Sequence, residues 1–365
     1  MRERRFLLPA LAGVLLTVAV VLSGVGQEPW QPGYDLAVYR DGARDLLAGR
    51  DLYLRETYRG HWFVYPPFAA VLFVPLLLLP AAVDLVVWDA ALIAVTVWAC
   101  WKVFRAVAPR STDLLAGVGT ALVLLSDPFR EALVLGQVSP LVVVGLVVGC
   151  LYGGRGGAVL AGLAGAVKVT PALVVAAGVN RRARWWFAAA VVVVGLVATG
   201  VGVLLAPASA VSYFGGLLWD STRVAAPGTT TNNSLAGAFA HAGLPTTPAL
   251  VLAVPLVALV PLVAHRGDWL DRGHRVRFGL LVSLVTCLVS PVTWSHHALA
   301  APIAAVALAG WGRWRPLAVL AGVPWLLPVL HWGPVAAQTR PLSLLVLVTL
   351  LALPAARRAA PAVRA

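Results

Sequence analysis

Six of the fifteen carboxylates in this chain lie between residues 25 and 65: Glu28, Asp35, Asp41, Asp45, Asp51 and Glu56. A reaction that needs a base has few other places to find one. Asp35 sits immediately before Leu36, Tyr39, Ala43, Leu46 and Leu47, whose spacing is helical. Two roles follow for it: an N-cap that accepts backbone N–H bonds, or a general base that takes a proton from a hydroxyl. Position alone favours the cap. Lys168, one of only two lysines, interrupts the apolar run 162–179. A charge at such a place costs at least ~2.5 kcal/mol, which marks a binding or pathway residue more readily than a snorkelling one. His296 and His297 are adjacent, and neighbours on a helix point about 100° apart. With no carboxylate close in sequence, they suit a base or a donor to phosphate better than a metal site. Asn232 and Asn233 precede an apolar stretch and serve equally as a helix cap or as partners of sugar hydroxyls.

Composition sets the elements that must carry these residues. The 365 residues are 60% hydrophobic and 12% charged, with a mean hydropathy of +0.86. A soluble domain of this length covers its surface with far more charge, so the surrounding medium is lipid. The net charge of +13 comes from arginines clustered between apolar runs, with no basic face to follow a nucleic-acid backbone. Arg2, Arg4 and Arg5, then Arg181, Arg182 and Arg184, then Arg266, Arg272, Arg275 and Arg277 read as cytoplasmic. So do Arg313 and Arg315, and Arg357, Arg358 and Arg364 near the C-terminus. Cys100, Cys150 and Cys287 are scattered through apolar stretches without CxxC spacing, which supports neither a disulfide framework nor a metal site.

The hydropathy pattern predicts an all-α polytopic membrane protein, a single integral domain over 1–365. About twelve spans fall near 6–24, 66–80, 83–104, 113–126, 132–152, 157–179, 187–206, 246–264, 277–290, 297–311, 316–331 and 342–354. The first has a charged start like a signal peptide but is long enough to span, and reads as a retained helix. Pro75, Pro171, Pro255, Pro261 and Pro328 lie within runs and predict broken or re-entrant helices. Lys102 to Arg110 violates the charge rule if this alternation holds. Three segments then face outward: 25–65, 207–245 and Ser290-Pro-Val-Thr-Trp-Ser-His-His297. The first contains an amphipathic helix on the membrane surface, with Asp41 and Asp45 on its polar face beside Arg40 and Arg44. No glycine-rich nucleotide loop follows a strand, and Gly153-Gly-Arg-Gly-Gly157 reads as a connection between spans.

The strings Asp35-Leu-Ala-Val-Tyr39, Gly49-Arg-Asp-Leu-Tyr53 and Phe63-Val-Tyr-Pro-Pro-Phe68 resemble the opening of the polyprenol-phosphate-mannose-dependent α-mannosyltransferases of actinobacterial cell envelopes. Leu135-Gly-Gln-Val138, Lys168-Val-Thr-Pro171, Asn233-Ser-Leu-Ala-Gly237 and Ser290 to His297 continue the resemblance in order, over about 33–300. Ser234 after the asparagine and Ser139 after the Gln137 motif depart from the pattern, and both touch possible substrate contacts.

The resemblance implies a GT-C glycosyltransferase fold and a membrane hexosyltransferase with an inverting mechanism. Asp35 is then the general base, with His296 and His297 as catalytic groups at the leaving phosphate and Lys168 as the second choice there. Tyr39, Tyr65, Gln137, Lys168, Asn232 and Asn233 are the implied substrate contacts. The partners implied are a polyprenyl-phosphate sugar donor, a glycolipid or glycan acceptor of mannoside or lipomannan type, and the bilayer. The reaction needs no cofactor and no metal, and its site faces the extracytoplasmic side of the plasma membrane. Related arabinofuranosyltransferases keep an arabinose donor open. Lys168 and the broken helices also suit a lipid or solute transporter, although the polar residues gather in outer loops and no inverted repeat is visible.

Overall fold

The computed structural model describes residues 2–24, 32–107, 113–179, 182–220, 223–247, 269–311 and 314–353. Among the described residues every regular element is helical. In chain order these are α1 (Arg2–Gly24), α2 (Tyr34–Leu47), α3 (Pro67–Phe73), α4 (Asp84–Val107) and α5 (Asp113–Leu125). Then come α6 (Asp127–Leu135), α7 (Ser139–Tyr152), α8 (Gly154–Val167), α9 (Arg182–Leu205) and α10 (Pro207–Gly215). The last are α11 (Leu235–His241), α12 (Arg272–Val289), α13 (Ala300–Trp311), α14 (Arg315–Gly322) and α15 (Thr339–Ala352). The span expected near 246–264, with Pro255 and Pro261, lies outside the described residues, as do Glu28, Arg110, Arg181, Arg266, Arg313, Arg357, Arg358 and Arg364.

Among the described residues, four helical stretches, Arg4–Gly24, Asp84–Val107, Arg184–Leu205 and Pro334–Ala352, are long and apolar enough to cross a membrane. Shorter apolar helices pack among them, and a contiguous buried cluster extends from Phe6 to Leu351. Lipid offers no hydrophobic drive between apolar helices, so close packing depends on small residues. A Cβ on Gly117 of α5 would stand 2.5 Å from the Phe6 carbonyl oxygen of α1, and one on Gly157 of α8 would stand 2.2 Å from the Gly149 oxygen of α7. Only glycine permits either approach. The α7–α8 connection is tight because Gly153 and Gly154 both take positive φ, 60° and 57°.

Two expected runs are organised differently. Residues 66–80 do not form one straight span: α3 is seven residues long and a 3₁₀ turn over Val74–Leu78 follows it. The segment stays along α2, because Arg40 Nη1 donates to the carbonyls of Leu76 at 2.6 Å and Leu79 at 3.1 Å. The same guanidinium pairs with Asp84, at the start of α4, at 3.0 Å. Pro66, Pro67, Pro75 and Pro80 explain the break, since each removes a backbone donor. Run 157–179 is also two pieces. α8 stops at Val167, Lys168 is extended (φ −131°, ψ 125°), and a 3₁₀ helix runs over Thr170–Val179. Ala172 returns to within 3.5 Å of a Cβ built on Gly165, where a continuous helix would hold residues seven apart at about 10 Å. Lys168 therefore sits at a reversal and not in the middle of a span.

The expected helix forms as α2, with Leu36, Tyr39 and Ala43 buried, but Leu46 is only partly buried, Leu47 is 65% exposed, and the buried face takes in polar residues. Arg40 and Asp45 are enclosed too, and Asp45 is gripped by Arg50 and Arg55, each at 2.7 Å. Only Asp41 and Arg44 make the expected surface pair, at 2.8 Å. Of the arginines read as loop charge, Arg277 is buried in α12 and donates to the carbonyls of Leu351 and Leu353 at 2.9 and 2.6 Å. It thereby caps the exposed backbone at the end of α15.

Candidate active site

α6 is the element that assembles the site. Pro128 at its start needs no N–H partner, and Gly136 ends it in the left-handed region at φ 67°. A Cβ at Gly136 would meet Leu36 Cβ of α2 at 2.7 Å, so glycine also allows the two helices to touch. The backbone N–H of Gly33, which precedes α2, donates to the Val134 carbonyl at 2.8 Å. These contacts bring Gln137, just past α6, beside Asp35, in the first turn of α2.

Asp35 is not a helix cap. The N-cap of α2 is Gly33, Asp35 is the second helical residue, and no side chain caps this end. The carboxylate instead faces a cavity of roughly 600 Å³, where its Oδ2 accepts from Gln137 Nε2 at 2.9 Å. The orientation of Gln137 is set by its other end. Its Oε1 accepts from the Tyr39 hydroxyl and from the Tyr65 hydroxyl at 3.0 Å, while the Tyr39 oxygen accepts from the Val138 N–H at 3.2 Å. Two phenol donors on Oε1 leave the amide N–H groups for Asp35. Burial pushes the Asp35 carboxyl above its ordinary value, opposed by His296, by Lys168 and by the Gln137 hydrogen bond.

Lys168 Nζ donates to Ser139 Oγ at 2.8 Å, a hydroxyl that lies 3.3 Å from Gln137 Oε1, and stands 5.6 Å from the centre of the Tyr65 ring. The histidines come from the 3₁₀ turn Ser295–Ala298, with their rings 4.4 Å apart. His297 Nδ1 accepts the Trp294 N–H at 3.3 Å, so in the neutral ring the proton sits on Nε2. His296 Nδ1 lies 2.8 Å from Glu131 Oε2, which also accepts the His296 backbone N–H at 2.7 Å. His296 is 3% exposed and its Nε2 has no hydrogen-bond partner among the described residues.

The structure therefore brings together Asp35, Tyr65, Gln137, Lys168, His296 and His297 around one cavity. Tyr39 stands behind Gln137, fully buried and outside the lining. Asn232 and Asn233 also lie outside it, 2% and 1% exposed. Asn232 Nδ2 donates to the Pro227 and Pro291 carbonyls, both at 3.0 Å, and its Oδ1 accepts the N–H groups of Ser234 and Thr293. Asn233 Nδ2 donates to the Thr231 and Thr293 carbonyls. The pair ties two loops together, and the cap of α11 is Ser234, whose Oγ accepts the Gly237 N–H at 3.2 Å.

Sequence reasoning missed Glu131. Its signal was Asp127 and Glu131 four residues apart, two of few carboxylates and one helical turn from each other. Arg223 and Trp62, also unexpected, form the rim: the guanidinium stacks 4.6 Å over the indole and donates to the Tyr53 carbonyl at 2.8 Å.

A helical, lipid-compatible scaffold with Asp35 facing the same cavity as Lys168 and two histidines defines a membrane enzyme equipped for transfer to a hydroxyl. The model of glycosyltransferase family 87 matches residues 63–291, and the chain belongs to that family. It is 33% identical to a polyprenol-phosphate-mannose-dependent alpha-(1-2)-phosphatidylinositol pentamannoside mannosyltransferase of Mycolicibacterium smegmatis, over 80% of this chain and 76% of that protein. The equally named Mycobacterium tuberculosis protein is 32% identical over 73% of this chain and 65% of its own length. A second M. smegmatis protein, a phosphatidylinositol mannoside mannosyltransferase, is 32% identical over 80% and 72%. No solved structure is significantly similar.

Proposed function

We propose that this protein transfers mannose from polyprenyl-phosphate-mannose to a phosphatidylinositol mannoside, with inversion and with Asp35 as general base, on a GT-C scaffold. The observation that carries this reading is the Asp35–Gln137 pair facing the same cavity as Lys168, His296 and His297. The acceptor oxygen bonds to the anomeric carbon as the bond from that carbon to the phosphate oxygen breaks. The acceptor's proton goes to Asp35, through the carboxylate oxygen that Gln137 leaves unengaged, and the electron pair goes to the phosphate. A phosphodiester becomes a phosphomonoester, so one negative charge grows there and needs donors already in place. Lys168 Nζ and the His297 Nε2–H supply them, and Val142, Val143, Leu146 and Val167 give the polyprenyl chain an apolar wall. The rim, with His61, Trp62 and Arg223, receives the acceptor headgroup.

The reading places this cavity on the extracytoplasmic side of the plasma membrane. With 66–80 returning beside α2, α4 runs inward and carries Lys102 and Arg105 to the cytoplasm, in keeping with the charge rule. The ends of α4, α7 and α12 then meet there: Ala106 lies near Gly273, and Arg275 near Gly153. The reversal at Lys168 restores the alternation that the lost crossing removes.

The test is transfer by purified protein in nanodiscs, with polyprenyl-phosphate-mannose and polyprenyl-phosphate-arabinose offered separately with a phosphatidylinositol mannoside. Mannosylated product alone is expected. Arabinosylated product alone would replace the sugar, and no product with either donor would reject the reading.

A further inference from the structure

Asp127 and Glu131 stand one turn apart on α6, and both hold the turn that carries the histidines. Glu131 does so directly, through the His296 backbone N–H and Nδ1. Asp127 does so through Arg340 of α15, a wholly buried guanidinium that pairs with Asp127 at 2.8 Å and donates to Ser295 Oγ at 2.6 Å. Arg340 also donates to the Pro324 carbonyl at 3.1 Å and lies over the buried Trp325 ring. Buried ionic groups need this degree of pairing to persist. What the network leaves unmatched is a single buried atom, His296 Nε2, on a residue that lines the cavity.

We infer that Glu131 is a positioning residue for His296: it grips the backbone N–H and the Nδ1 of that residue together, and so fixes the ring on the wall of the cavity that receives the leaving lipid phosphate. The inference rests on the transfer reading above. A carboxylate in contact with one ring nitrogen fixes the orientation of the imidazole and of the turn that carries it. Arg340 and Asp127 fix the height of the turn and face Ser295.

Glu131→Gln keeps an oxygen that accepts both N–H groups, and Glu131→Leu keeps neither contact. In nanodiscs with polyprenyl-phosphate-mannose and a phosphatidylinositol mannoside, kcat of Glu131→Leu is expected to fall roughly 10–100-fold with acceptor KM within about twofold, and Glu131→Gln is expected to keep most of the wild-type rate. A loss of the same size in both variants, or a change confined to KM or to the melting temperature, would overturn the inference, because a positioning contact made by the oxygen survives in the glutamine. No mannosylated product from the wild-type protein would instead sink the transfer reading, a separate outcome.

Discussion

Replacing Gln137 with Glu changes one hydrogen-bonding edge and almost no volume. In the native site the amide donates to Asp35 Oδ2 at 2.9 Å while Oε1 accepts from Tyr39 and Tyr65. The substituted side chain keeps an acceptor for both phenols but presents Asp35 with a second carboxylate. A hydrogen bond to an ionised group is worth about 1.5–3 kcal/mol, and one pKa unit corresponds to about 1.4 kcal/mol. Loss of the donor therefore raises the Asp35 carboxyl further, and like-charge repulsion adds to that. The native carboxyl already lies above its ordinary value because it is buried, so the wild-type acid limb is expected above the usual carboxylate range. The measurement is kcat against pH for mannosyl transfer in nanodiscs. Gln137→Glu should carry the acid limb alkaline by at least about one unit, with the plateau recovered at high pH. A limb that moves less than about 0.3 unit, on a plateau equal to wild type, would refute the claim that Gln137 tunes the base.

Lys168→Met removes a cation from the leaving-phosphate wall and should lower kcat about 10²-fold; a change only in acceptor KM would place Lys168 elsewhere. Asn232→Ala deletes the side-chain bonds to Pro227, Pro291, Ser234 and Thr293, so thermal unfolding should report a loss on the order of 2–4 kcal/mol. A raised acceptor KM at unchanged melting temperature would make that asparagine a substrate contact instead. Exhaustive chelation should leave transfer intact, and a loss of activity restored by a divalent ion would show that a metal takes part.

The class of scaffold was legible because lipid-facing surfaces need apolar residues and say so in composition. The exposed large side chains of α1 and α9, such as Leu8 and Leu204, are the residues that pattern requires. Lys168 and the two histidines were legible as scarce polar groups, whereas Gln137 came only with the family resemblance, which also set base above cap for Asp35. Their neighbours were harder. Glu131 fell in a short link between two apolar runs, and its partner His296 lies 165 residues on. The prolines of 66–80 were the sign that this run is broken. Lys168 looked deep in a span because α8 and the following 3₁₀ helix are both apolar, and hydropathy does not register a reversal between them. An asparagine amide satisfies a loop or a sugar with the same four bonds, so Asn232 could be assigned only from coordinates.

Asp35→Asn tests the central claim most directly. The variant keeps an acceptor for Gln137 Nε2 and removes only the base, so kcat for mannosyl transfer from polyprenyl-phosphate-mannose should fall about 10²–10⁴-fold. Folding should not suffer. Burial raises the Asp35 carboxyl in the folded state, which penalises its charged form above that raised value and imposes nothing below the unfolded value. The asparagine protein should therefore melt no lower than wild type at neutral pH and lose any advantage in acid. A stable, inactive variant is the expected result, and a stable variant that transfers mannose at the wild-type rate would contradict Asp35 as the base.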